Sequence, residues 1–165
     1  MKSQSMQAAA LGVAALALAG IAWAEGNIHK TEKFAWSENA GWQNWRPAYG
    51  GVTVVKNGAN GYLSGYAWCE NLGWLKLGAG SGPYANAGAG DYGVNLDAAG
   101  NLSGYAWSET TGWIGFSNAY GQVTLQNNVF DGYAWSENAG WIHFKNDAPA
   151  YSVQLLPAGS VFSLY

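Results

Sequence analysis

The chain contains one cysteine, Cys69, and charged residues fill only 10% of its 165 positions. A single cysteine excludes an internal disulfide framework and any cysteine-rich metal site. With a net charge of −3, the chain has no cationic surface for a phosphate backbone, so no nucleic-acid partner is expected. Disorder is excluded as well, because it needs much charge and few aromatics, and here 15% of residues are aromatic. No segment reaches the ~20 apolar residues, suitably flanked, of a spanning helix. The two histidines, His29 and His143, make no recognisable metal site with Cys69. Phosphate loops, dinucleotide fingerprints and nucleophile elbows are missing too. Asp91–Asp97 (DYGVNLD) has neither the spacing nor the terminal Glu of a calcium loop. No cofactor, metal or catalytic residue is therefore assigned, and the chain is not expected to be an enzyme.

The start of the chain reads as an address. Lys2 precedes an apolar stretch from Ala8 to Ile21 and then Ala22-Trp23-Ala24, the pattern of a secretory signal peptide. Residues 1–24 are assigned to it, as a signal helix cleaved after Ala24. Residues 25–165 form a single domain, which is not membrane-spanning once processed. No cysteine lies near the cut, so a lipoprotein anchor is excluded. Loss of Lys2 takes the net charge from −3 to −4, and the expected location is extracellular or periplasmic.

What the chain has in abundance is 24 Gly, 10 Trp and 10 Tyr, and these are arranged in repeats. Lys33–Trp45 reads KFAWSENAGWQNW, Gly65–Leu77 GYAWCENLGWLKL, Gly104–Phe116 GYAWSETTGWIGF and Gly132–Phe144 GYAWSENAGWIHF. A weaker element precedes units two to four, from Gly50, Tyr92 and Tyr120. It recurs as a C-terminal half-repeat over 151–165. The mature chain from Glu25 is thus expected to begin with the second half of a repeat and to end with the first half of one. The Gly-rich stretch Gly78–Gly90 reads as a surface-loop insertion.

Each unit has the period of two of a β-strand, followed by a turn sequence and a second short apolar run, which predicts a hairpin. Gly41, Gly73, Gly112 and Gly140 supply the positive φ of the loop. If Gly41 lies opposite Ser37, Trp36 faces Trp42, and the same register pairs Trp68 with Trp74, Trp107 with Trp113 and Trp135 with Trp141. Tyr66, Tyr105 and Tyr133 share that face, with Phe34 in the first unit. The opposite face carries Ala67/Leu75/Leu77, Ala106/Ile114/Phe116 and Ala134/Ile142/Phe144.

The expected fold is all-β: four tandem antiparallel β-hairpin/meander repeats of about three strands each. Pairing of the N- and C-terminal half-repeats would close them into a propeller-like or barrel-like ring that leaves no edge exposed. A transmembrane barrel is disfavoured because strands of about 4–7 residues fall short of the ~9–11 needed.

The eight repeat tryptophans are expected to be mostly core, since Leu, Ile and Val are scarce. Any left at a rim would form a platform for sugar rings, beside Asn44, Lys76 and His143. The candidate ligand-binding residues are therefore Trp36, Trp42, Trp68, Trp74, Trp107, Trp113, Trp135, Trp141, Tyr66, Tyr105 and Tyr133. Glu38, Glu70, Glu109 and Glu137 read as solvated turn acids, and Cys69 as a replacement for the serine of the other units (Ser37, Ser108 and Ser136).

These units resemble the GYAWSENxGWI-type repeats of exported bacterial proteins, a group with no assigned activity, so the resemblance brings no site residues. A weaker likeness, to the Gly/Trp/Tyr repeats of choline- and glucan-binding modules, implies ligand binding by aromatic side chains of adjacent repeats. The functional expectation is a secreted, non-catalytic module whose partner is a glycan or other cell-envelope ligand. The alternative is a self-associating extracellular structural subunit, a filament or surface layer joined by strand addition.

Overall fold

Alternate residues of a strand face opposite ways, so a Tyr-Ala-Trp-Ser run sends Ala and Ser to one side and Tyr and Trp to the other. The computed structural model, which describes residues 26–159, obeys that alternation and is all-β. The expected signal peptide and residues 160–165 lie outside the described residues. The strands are β1 (Ile28–Ser37), β2 (Gly41–Asn44), β3 (Gly51–Val55), β4 (Gly61–Cys69), β5 (Gly73–Lys76), β6 (Val94–Leu96) and β7 (Leu102–Ser108). They continue with β8 (Gly112–Gly115), β9 (Ser117–Asn118), β10 (Gly121–Gln126), β11 (Val129–Ser136), β12 (Gly140–His143), β13 (Lys145–Asp147) and β14 (Ala150–Leu155).

The hairpins β1–β2, β4–β5, β7–β8 and β11–β12 share one register, with Ser37 opposite Gly41 and Trp36 opposite Trp42 and the equivalent pairs in the other three. Gly41, Gly73, Gly112 and Gly140 have φ of +75°, +73°, +78° and +71°, as a loop ending in a bulge requires. Neighbouring hairpins join through β2–β4, β5–β7, β8–β11 and β12–β1. The result is a closed eight-stranded antiparallel barrel, not a propeller.

A second tier continues the long strands downward. β3 pairs β4, β6 pairs β4 and β7, β10 pairs β11, and β14 pairs β1 and β11. In the C-terminal half-repeat, Val153 therefore lies opposite Lys33 and Leu155 opposite Ile28 of the same chain. β1, β4 and β11 have 10, 9 and 8 residues, longer than expected, because the first strand of these hairpins also includes residues upstream of the aromatic repeat, such as Gly61–Ser64 in β4. That removes the length argument against a membrane barrel. However, the outward pairs Thr53–Ser64, Asn95–Ser103 and Thr124–Asp131 are polar where a lipid-facing band is apolar. No helix among the described residues is long and apolar enough to cross a membrane.

Small residues face large ones across the interior: Ala35 opposite Gln43, Ala67 opposite Leu75, Ala106 opposite Ile114 and Ala134 opposite Ile142. This interleaving fills a barrel of eight strands with side chains and leaves no channel. Trp45, Phe116, Phe130 and Phe144 pack at its centre, with Trp45 and Phe144 centroids 5.0 Å apart. The core is therefore aliphatic and phenylalanine-rich, and the eight repeat tryptophans are not in it. Of these, Trp68, Trp74, Trp113, Trp135 and Trp141 are 38–43% exposed. The expectation of mostly buried indoles fails because the barrel interior is filled by the residues of the other parity, Leu75, Leu77, Ile114, Phe116, Ile142 and Phe144, with Gln43 and Trp45 in the first hairpin.

Candidate functional site

On the outer face each hairpin carries an edge-to-face tryptophan pair. Centroids are 4.8 Å apart for Trp36–Trp42, 5.0 Å for Trp68–Trp74, 4.6 Å for Trp107–Trp113 and 4.8 Å for Trp135–Trp141. Tyr66, Tyr105 and Tyr133 contact the second indole of their own pair, and Phe34 does so in the first hairpin. Edge-to-face packing suits the ring quadrupoles and holds each indole in a fixed orientation while leaving one face to solvent. All eleven expected aromatic residues are thus brought to the outer surface, as four separate clusters.

The clusters differ in what lies over them. Tyr151 packs on Trp42 at 5.2 Å and Tyr92 on Trp113 at 5.0 Å, both edge to face. At the corresponding places over Trp74 and Trp141 the chain has Gly50 and Gly121. A β-carbon built there would come within 3.2 Å of Trp74 and 2.7 Å of Trp141. Backbone, not a side chain, thus approaches these two indoles. Trp68 and Trp135 are exposed and Trp36 and Trp107 half-buried, while Trp113 stays 43% exposed beside Tyr92.

A hollow of about 660 Å³ lies at the β12–β1 seam where the last hairpin meets the first. Its walls are Trp36, Tyr133, Trp135, Trp141, Tyr151 and Tyr120, and its polar groups are Glu38, Asn39 and His143. His143 lies opposite Trp36 across the seam. Its ring stacks on Tyr133 with centroids 4.1 Å apart and planes 4° from parallel, and Nδ1 is 3.0 Å from the Tyr151 hydroxyl. Burial lowers the His143 pKa below its ordinary value, against a smaller opposing effect of Asp131. At neutral pH the His143 ring is thus uncharged. Glu38 is the one carboxylate among the described residues lining the cleft. Among the described residues no cluster of His, Cys, Asp and Glu is placed to hold a metal ion.

A smaller hollow of about 330 Å³ lies between Tyr92, Tyr105, Trp113 and Asn86–Ala89 of the Gly-rich insertion. Tyr84 anchors that insertion. Its ring fills the space over Gly78 and Gly93, and its hydroxyl lies 2.9 Å from the Leu63 carbonyl. Burial pushes its pKa up to about 12, so it stays a donor.

Cys69 sits at the barrel's turn end, fully buried, with Sγ 3.1 Å from the Ala40 carbonyl. Burial raises its thiol pKa, which makes it a poor nucleophile. Glu70, Glu109 and Glu137 are exposed at the hairpin tips, as expected, and Glu70 accepts a bond of 3.4 Å from the Trp42 amide.

Tyr120, Tyr151, Glu38 and Asn39 complete the cleft and were not among the expected ligand residues. A signal for them exists: a tyrosine stands before the first valine of every weaker element, at Tyr49, Tyr92, Tyr120 and Tyr151. No protein-family model matches the chain, and no curated protein or solved structure matches it.

Proposed function

We propose that the chain is an exported, non-catalytic module that binds a neutral oligosaccharide in the cleft at the β12–β1 seam. The observation that carries this is the cleft's composition: indole and phenol faces on its walls, with Glu38, Asn39 and His143 grouped beside them. Pyranose rings present a C–H face that stacks on an aromatic ring and hydroxyls that pair with carboxylate, amide and imidazole. A volume of about 660 Å³ lies in the usual range for ligand sites, ~300–1,000 Å³. Glu38 and the absence of a cation among the described lining residues disfavour an anionic glycan. The rival reading, assembly by strand addition, needs a free strand. β14, the strand it would use, is hydrogen-bonded on both sides within its own chain.

The test is tryptophan fluorescence and isothermal titration with cellotriose, tri-N-acetylchitotriose and maltotriose. Saturable binding of at least one, weakened tenfold or more by Trp135→Ala in a folded variant, is the expected result. Flat titrations with all three would refute the reading.

A further inference from the structure

We infer that the barrel carries a second saccharide site at the β5–β7 seam, opposite the first, so that one chain bridges two glycan strands. This rests on the proposed reading of the β12–β1 cleft. In the eight-stranded ring the two seams are separated by four strands in either direction, so they face opposite ways.

The two seams correspond residue by residue. Lys76 lies opposite Trp107 at β5–β7, as His143 lies opposite Trp36 at β12–β1. Tyr66, Trp68 and Trp74 are 39%, 40% and 41% exposed, against 42%, 38% and 40% for Tyr133, Trp135 and Trp141. Gly50 lies against Trp74 and the Tyr66 β-carbon, just as Gly121 lies against Trp141 and the Tyr133 β-carbon. Tyr92 packs edge to face on Trp113 of the next hairpin, as Tyr151 packs on Trp42.

The sequence encodes this alternation. Tyr49 and Tyr120 stand three residues before Val52 and Val123, whereas Tyr92 and Tyr151 stand two before Val94 and Val153. The extra residue puts a glycine over the indole and swings Tyr49 and Tyr120 out, to 72% and 91% exposure. At the other two seams a tyrosine occupies that place and packs on the indole. A tyrosine therefore packs on every second cluster around the ring, although Trp113 beside Tyr92 keeps 43% exposure, and the two glycine-backed clusters are the ones assigned as sites. The second differs in having Lys76 for His143 and Thr110 for Asn39, so the two need not have equal affinity.

The experiment is a titration of the ¹⁵N-indole-labelled protein with the same three trisaccharides, with calorimetric stoichiometry alongside. The expected result is movement of the indole resonances of both Trp68/Trp74 and Trp135/Trp141 and two ligands per chain. Stoichiometry should fall to one in Trp135→Ala and, separately, in Trp68→Ala. Beads coated with the responding sugar should be agglutinated by the parent protein and not by either variant. One ligand per chain, with movement confined to Trp135/Trp141, would overturn the second site and leave the first standing. No movement at either seam would overturn both. If Trp68→Ala fails to fold, the spectrum of the unaltered protein decides, because it reads both seams at once.

Discussion

The Ser37 hydroxyl donates to the Ala139 carbonyl at 2.9 Å, across 102 residues of sequence. The equivalent atoms of the other hairpins do the same job: Cys69 Sγ reaches the Ala40 carbonyl, Ser108 the Leu72 carbonyl, and Ser136 the Thr111 hydroxyl. Each hairpin is thus tied to the one before it, and the Ser37 link closes the circle between last and first. Ser37 also accepts from the Ala40 amide at 3.3 Å, so one hydroxyl fixes both its own turn and the seam that forms the cleft.

Ser37→Ala would leave a buried carbonyl and amide without that partner, at a cost of about 1–3 kcal/mol. Denaturant unfolding should show the loss. Cys69→Ser restores the residue used in the other three hairpins and should change stability by less than about 1 kcal/mol. The raised thiol pKa and full burial of Cys69 predict negligible labelling by Ellman's reagent at pH 8 until the protein is unfolded. Rapid labelling of the native protein would contradict this placement.

Hairpin register and the inner and outer faces were legible because the GYAWS and GWI runs have a period of two, and Gly41 and its equivalents fix the turn. Which face is the core was not legible. Aromatic content suggested the tryptophan side, but the closed ring leaves its interior to Ala/Leu/Ile pairs and the Trp45–Phe cluster. The seam residues were also hidden. Glu38 and Asn39 come from the first hairpin and Trp135 and Trp141 from the last, and only ring closure brings them together.

A second glycine position was overlooked. Gly65, Gly104 and Gly132 have φ of +87°, +83° and +93°, and a β-carbon on each would come within 2.0–2.1 Å of a carbonyl oxygen of the adjoining strand. These residues mark where the long strands pass from one tier to the next. Gly132→Ala combines backbone strain with that clash and should destabilise by at least about 3 kcal/mol, read as loss of soluble protein or a large fall in Tm. Gly58, whose β-carbon would meet nothing within 4 Å although its φ is +54°, is the control. Gly58→Ala should cost about 1 kcal/mol.

Gln43 occupies the interior position held by Leu75, Ile114 and Ile142 in the other hairpins. Its Nε2 is buried without a hydrogen-bond partner, as is Trp45 Nε1. A void of only about 10 Å³ adjoins both. Gln43→Leu replaces an unmet amide by a side chain of similar size and should stabilise by about 1–2 kcal/mol, raising Tm by roughly 3–6 °C. Destabilisation would show that the amide is satisfied by something that the leucine displaces.

His143 gives the fold a dependence on mild acid. Burial lowers its pKa from the ordinary 6.5, so the unfolded chain takes up a proton before the folded one does. Its contribution to stability is complete above pH 6.5 and is lost as pH falls from there through the lower folded value. The ring is half-buried, so the effect is modest. Asp131 opposes the shift, and Lys145, 3.8 Å from Asp131, weakens that opposition. The expected outcome is that the parent protein loses more stability between pH 7 and pH 5 than His143→Gln does. Saccharide affinity at the β12–β1 seam should fall over the same interval, since a protonated ring, both of whose nitrogens donate, offers no acceptor to a sugar hydroxyl and puts a charge on the Tyr133 stack. Parallel pH profiles for the two proteins would mean that His143 does not titrate in this range.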